Sequence, residues 1–122
     1  MSFTISGTGG LTFPDATTMT TGSQAVKAWV NFNGSTAAIR ASYNVGSITK
    51  NATGDYTLNF TSALADVNYS TVGSASTSAS DFRTLAPQFA SGWVYSTTQA
   101  RVGTVYQTGL ADCVNVYVAV FR

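Results

Sequence analysis

Cys113-Val114-Asn115-Val116-Tyr117-Val118-Ala119-Val120-Phe121 decides the fold class. Val114, Val116, Val118 and Val120 fall on one face of an extended chain, and Cys113, Asn115, Tyr117, Ala119 and Phe121 fall on the other. Alternation of period two, with valine on one side, marks a strand whose valine face is turned to a core. The second face is also largely apolar, so this strand is expected either at the centre of a sheet or under a neighbouring subunit.

The same grammar recurs upstream. Val45-Gly46-Ser47-Ile48-Thr49-Lys50 leads through Asn51-Ala52-Thr53-Gly54-Asp55 into Tyr56-Thr57-Leu58-Asn59-Phe60, a hairpin with Tyr56, Leu58 and Phe60 on one face. Gly54 supplies the positive φ that a tight hairpin loop needs. Further strands are expected over 25–33, 37–43, 67–74, 92–97 and 100–108, and no helical periodicity with capping residues competes with them. Strands at this spacing in a chain of 122 residues predict one all-β domain, an antiparallel β-sandwich over residues 25–122. Residues 1–24 differ. They are small and polar apart from Leu11-Thr12-Phe13-Pro14-Asp15, too short to build a core, and they predict an extended N-terminal arm or stalk. Ser74-Ala75-Ser76-Thr77-Ser78-Ala79-Ser80 predicts an exposed low-complexity loop.

Composition narrows the chemistry. Hydrophobic residues are 44% of the chain and charged residues only 9%, against roughly 25% in an average domain. The formal net charge is +1 and the six cations are scattered, so no basic run exists to neutralise a nucleic-acid backbone. No apolar run has the length of a membrane span, and the N-terminal residues lack the basic start and apolar centre of a secretory signal. The absence of histidine removes the commonest general base and metal ligand. The single cysteine, Cys113, reads as a buried apolar residue. The acids are Asp15, Asp55, Asp66, Asp81 and Asp112, each beside turn-forming residues, and each reads as a turn residue rather than a catalyst. Lys50 reads as solvated, and neither it nor Lys27 has a visible activating partner. The residues therefore predict a protein that is not an enzyme and needs no cofactor or metal. Trp29, Phe32, Tyr43, Tyr56, Phe60 and Phe121 are expected in the core. Trp93, Tyr95 and Tyr106 lie among Ser, Thr and Gln, where aromatic faces suit carbohydrate or subunit contacts.

Gly10-Leu11-Thr12-Phe13-Pro14-Asp15-Ala16-Thr17-Thr18-Met19-Thr20-Thr21 resembles a segment that recurs in fibrous proteins of tailed phages, with Ala16 where glycine is usual and Met19 where glutamine is usual. The runs 28–34, 38–45, 47–49, 54–60 and 118–122 are similar to a β-domain of virion proteins of marine and freshwater phages, including cyanophages. That resemblance implies a jelly-roll-like sandwich, trimeric, at the end of a fibre, located in the virion after synthesis in the host cytoplasm. The function expected is a short tail fibre or knob that attaches the particle to the host cell surface; the alternative is a capsid decoration or cement protein. The partners expected are further copies of the chain, other proteins of tail or capsid, and a host surface glycan, with no nucleic acid and no membrane insertion. Leu11, Phe13, Pro14 and Asp15 are the candidate docking residues. Asp81, Arg83, Trp93 and Tyr95 are the candidate receptor contacts.

Overall fold

A computed structural model describes residues 4–6, 10–12, 16, 18–19, 26–78, 81–93 and 95–122. Among them the chain is all-β, in the order β1 (Thr4–Ser6), β2 (Gly10–Thr12), β3 (Thr18–Met19), β4 (Val26–Asn33), β5 (Ala38–Tyr43), β6 (Val45–Ala52), β7 (Asp55–Phe60), β8 (Ser70–Ser76), β9 (Thr84–Pro87), β10 (Gln99–Tyr106), β11 (Gly109–Leu110) and β12 (Asn115–Phe121). A four-stranded sheet runs β5-β4-β12-β8, and a second sheet runs β11-β10-β7-β6 with β9 also on β10. Every pairing is antiparallel, and the two sheets enclose one core as a β-sandwich.

The valine face of the C-terminal run meets this core: Val116, Val118 and Val120 are buried, opposite Phe32, Val30 and Ala28 of β4. β12 is central, held by β4 on one side and β8 on the other. Val114 breaks the alternation. It is exposed, and Cys113 is the fully buried residue, because both precede the strand. From the second sheet, Tyr56, Leu58, Phe60, Ala100 and Val102 fill the same space. Phe32 and Tyr56 meet edge to face with ring centroids 5.1 Å apart, a geometry that adds to simple burial.

The expected hairpin forms, and Gly54 has φ +67 at its turn. A side chain there would strike the backbone of Ala111 and Thr104. At the corner where the chain leaves β5 for β6, Asn44 takes φ 55, a conformation asparagine tolerates better than most residues. Its Nδ2 donates to the carbonyls of Lys27 and Ser62, each at 3.1 Å, and its Oδ1 accepts from Ser62 N–H at 2.7 Å. One asparagine thus fixes the crossing between the sheets.

Several expectations are corrected. Within residues 1–24, β2 pairs antiparallel with both β1 and β3, a small sheet that the sequence did not announce. Ala16 takes φ 68, a left-handed conformation uncommon for a residue with a side chain. Phe13, Pro14 and Asp15 lie outside the described residues, and of the side chain of Leu11 only its place on β2 is given. The loop expected over 74–80 is strand as far as Ser76. The strand expected over 92–97 is irregular at its described residues. Gly92 has φ +86, Trp93 N–H closes a turn on Ala90 O, and Ser96 Oγ accepts from the N–H groups of Thr98 and Gln99. β9 was not foreseen because Pro87 ends it, and a proline is compatible with its edge position. Trp29, Tyr43 and Phe121 are not core: they are 40%, 58% and 40% exposed.

Candidate binding surfaces

The four described aspartates, Asp55, Asp66, Asp81 and Asp112, are each in an ion pair. Asp55, 4% exposed, accepts from Arg101 Nε at 2.8 Å and Nη2 at 2.5 Å. That bidentate bond is the main reason its carboxyl sits below the usual carboxylate range, against the opposing effect of burial. Asp66 accepts from Arg122 at 2.8 and 2.6 Å and caps Asn68 N–H, which lowers its pKa to about 2. Asp112 Oδ1 accepts from Gly54 N–H at 2.8 Å and from the Tyr56 hydroxyl at 3.0 Å, while Oδ2 accepts from Lys50 Nζ at 2.6 Å. Burial works to raise the Asp112 pKa, and these three donors together outweigh it and lower it. Lys50 is therefore not simply solvated: it also donates to Ser35 O at 2.9 Å. Cys113 is buried, and burial pushes its thiol up. Among the described residues no group of three acids or cysteines could hold a metal ion.

The structure separates the four candidate receptor contacts. Asp81 and Arg83 form an ion pair at 2.5 Å, Thr77 Oγ1 donates to Asp81, and the Arg83 guanidinium lies 4.0 Å over the Tyr106 ring. Between this tethered pair stands Phe82, 95% exposed. Sequence reasoning passed over Phe82, although a phenylalanine inside a polar loop, outside any alternation, was the available signal. Trp93 is buried, with the Arg101 guanidinium 4.6 Å over its ring and Phe89 packed beside it. Tyr95 stacks on Tyr69 at 4.8 Å and its hydroxyl bonds to Thr71. Both aromatic faces are thus occupied within the fold.

Two surfaces remain. On the four-stranded sheet, the register aligns Val72, Ala119, Trp29 and Tyr43 in one row across β8, β12, β4 and β5. The next row holds Ser74, Tyr117, Asn31 and Ala41. Ala119 is the small floor of a shallow apolar hollow rimmed by Trp29, Val72 and Tyr117.

Over β6, β7 and the start of β10 the outer face of the second sheet is polar, while Trp93 and Leu110 cover it at Gly103. Across β6, β7 and β10 the rows are Ser47, Asn59, Gln99 and then Thr49, Thr57, Arg101; Asp55 beside Gly103 continues the pattern, with Asn51 from the bulge in β6. Asn59 Nδ2 donates to Thr49 Oγ1 at 3.0 Å and to Ser47 Oγ at 3.1 Å. Asn51 Nδ2 donates to Thr57 Oγ1 at 2.9 Å and to Asp55 Oδ1 at 3.1 Å. Thr49, Asn51, Thr57, Asn59, Gln99 and Arg101, with Gly92, line a groove of about 340 Å³. Sequence reasoning missed the groove, because only the strand register brings its members together. Compared with known proteins, the chain matches no family model, no curated protein and no solved structure.

Proposed function

We propose that this chain is a structural and adhesive subunit of a tailed-phage virion, a short tail fibre or knob that attaches the particle to the host cell surface. The row Val72–Ala119–Trp29–Tyr43, with Tyr117 beside it, carries the proposal. A continuous aromatic and aliphatic strip on one sheet face is what a protein presents when that face is covered by another chain. Three copies of the chain cover these strips in a homotrimer, and the arm 1–24 docks the trimer on its virion partner. The sandwich is jelly-roll-like, its chain passing between the sheets after β5, β7, β8 and β11. The phage assignment draws its support from the resemblance of the runs 10–21 and 28–60.

Sedimentation of the purified chain tests the assembly. A trimer is expected at micromolar concentration, and Trp29→Ser with Tyr117→Ser is expected to yield monomers whose melting temperature is that of a folded domain. A wild-type chain that stays monomeric at 100-fold higher concentration refutes the assembly. Attachment is tested separately: excess purified chain is expected to block adsorption of the parent particle to its host, and undiminished adsorption refutes that role.

A further inference from the structure

The groove on the second sheet has a specific hydrogen-bonding character. The two asparagine amide groups that line it, Asn51 and Asn59, spend their NH₂ donors across the strands on Asp55, Thr57, Thr49 and Ser47. Their Oδ1 acceptors have no partner among the described residues. Ser47 and Thr49 accept those bonds through their hydroxyl oxygens and keep their hydroxyl protons to donate outward. The side-chain amide of Gln99, on an exposed residue, also bonds to none of the described residues. The face therefore presents interleaved acceptors and donors, spaced by the sheet at roughly 4.8 Å between strands and roughly 6.8 Å between rows. The charge of Arg101, the one cation lining the groove, is matched by Asp55 through both Nε and Nη2.

We infer that this groove binds a neutral, hydroxyl-rich saccharide, which is the attachment ligand if the chain has the role proposed above. Each sugar hydroxyl is at once a donor and an acceptor, so it satisfies an Asn Oδ1 and a Thr or Gln donor together. A uronate or sialate finds no such match: the acceptor oxygens repel its carboxylate, and the guanidinium that could hold it is already forked onto Asp55. The pairing also fixes the groove in advance. Asn51, Asn59 and Arg101 are held by partners on the neighbouring strands, so few side chains lose freedom when the ligand docks. Polar contacts of this kind exchange with water and give weak single-site binding, which multiple copies on one particle amplify.

The test uses the full chain on an array of neutral hexosyl, neutral N-acetylhexosaminyl and uronic-acid hexasaccharides, followed by titration of the best neutral probe. At least one neutral probe is expected to be retained. Its affinity is expected to fall about tenfold in Gln99→Ala, the loss of one hydrogen bond at an exposed position, and at least as far in Thr49→Val, which also takes an acceptor from Asn59 Nδ2, with cooperative melting retained in both. Retention of no neutral probe at millimolar concentration, preference for the uronic-acid probes, or wild-type affinity in both variants overturns the inference. The two proposals fail separately. If the variants block host adsorption as well as wild type does, the groove is not the ligand site and attachment stands. If a neutral probe binds in the groove while wild type blocks no adsorption, the site stands and the attachment role falls.

Discussion

Asp112 is the best single point at which to break this fold. Its Oδ1 satisfies the N–H of Gly54, in the β6–β7 turn, and the hydroxyl of Tyr56, whose side chain is fully buried. Its Oδ2 holds Lys50. Asp112→Ala removes all three, and the first two losses are the costly ones. A hydrogen bond to a charged group contributes about 1.5–3 kcal/mol, and a buried donor left unmatched loses its solvation as well. The Lys50 pair, with both side chains a little over a quarter exposed, contributes about 0–1 kcal/mol. Water reaches part of the carboxylate site, so the low end of each range applies, and the expected loss is about 3 kcal/mol. In urea denaturation with a slope of about 1.5 kcal/mol/M this lowers the midpoint by roughly 2 M. Asp112→Asn keeps an acceptor for Gly54 and Tyr56 and is expected to lose about 1–1.5 kcal/mol. Tyr56→Phe loses one bond to the carboxylate, about 1.5 kcal/mol, and Lys50→Met at most about 1 kcal/mol. If Lys50→Met costs as much as Asp112→Ala, the ion pair dominates and the reasoning fails. It fails equally if Asp112→Ala costs under about 1 kcal/mol.

The same end of the sandwich supplies a second test. A Cβ on Gly34 would lie 2.5 Å from both Cys113 O and the Tyr56 hydroxyl, so Gly34→Ala is expected to cost roughly 2–3 kcal/mol in the same titration. Gly109→Ala, where a Cβ meets nothing within 4 Å, is expected to be near neutral, and equal losses at the two sites would contradict the packing. Acid stability follows from the carboxylates. Asp55, Asp66 and Asp112 all have folded pKa values below the unfolded carboxylate value of roughly 3.9, so the unfolded chain binds more protons in acid. Their contribution is complete above that value and is lost as pH falls through the folded values. Burial raises Cys113, Tyr56, Tyr69 and Tyr95, so stability also declines once pH rises past the unfolded thiol and phenol values. With no histidine, the urea midpoint is expected to be flat between about pH 5 and 8, and a slope there would refute the assignment.

How far the sequence discloses this molecule depends on the range of the interaction. Val116, Val118 and Val120 declare their face through neighbours two residues away, and Gly54 declares a turn through its own backbone. Trp29 and Phe32 are three residues apart on one strand and so point to opposite faces. The exposure of Trp29 is therefore legible from parity once Phe32 is placed in the core. The Asp55–Arg101 pair spans 46 positions and the Asp112–Tyr56 bond 56, so neither leaves a local mark. The polar groove is less legible still. Ser, Thr, Asn and Gln at alternate positions look the same whether they face water or a ligand, and only the pairing of β6 with β7 and of β7 with β10 aligns them.

The apolar strip and the polar groove lie on the outer faces of opposite sheets, separated by the core and by the roughly 10 Å between packed sheets. Covering one therefore leaves the other open, and both can be occupied at once. The sheet that carries Trp29 and Tyr117 is suited to the inside of an assembly. The sheet that carries Thr49, Asn59 and Gln99 is suited to its outside. The groove remains neutral through the Asp55–Arg101 pair, while beside the strip the Arg40 guanidinium is held by Asn31 Oδ1 and by the carbonyls of Phe32 and Val114. Reversing the chemistry of either face, by charging the strip or by removing Asp55 and freeing the Arg101 guanidinium, is expected to disable one proposed function while leaving the other sheet in place. The separation of the two surfaces is what makes the assembly and attachment roles independently testable.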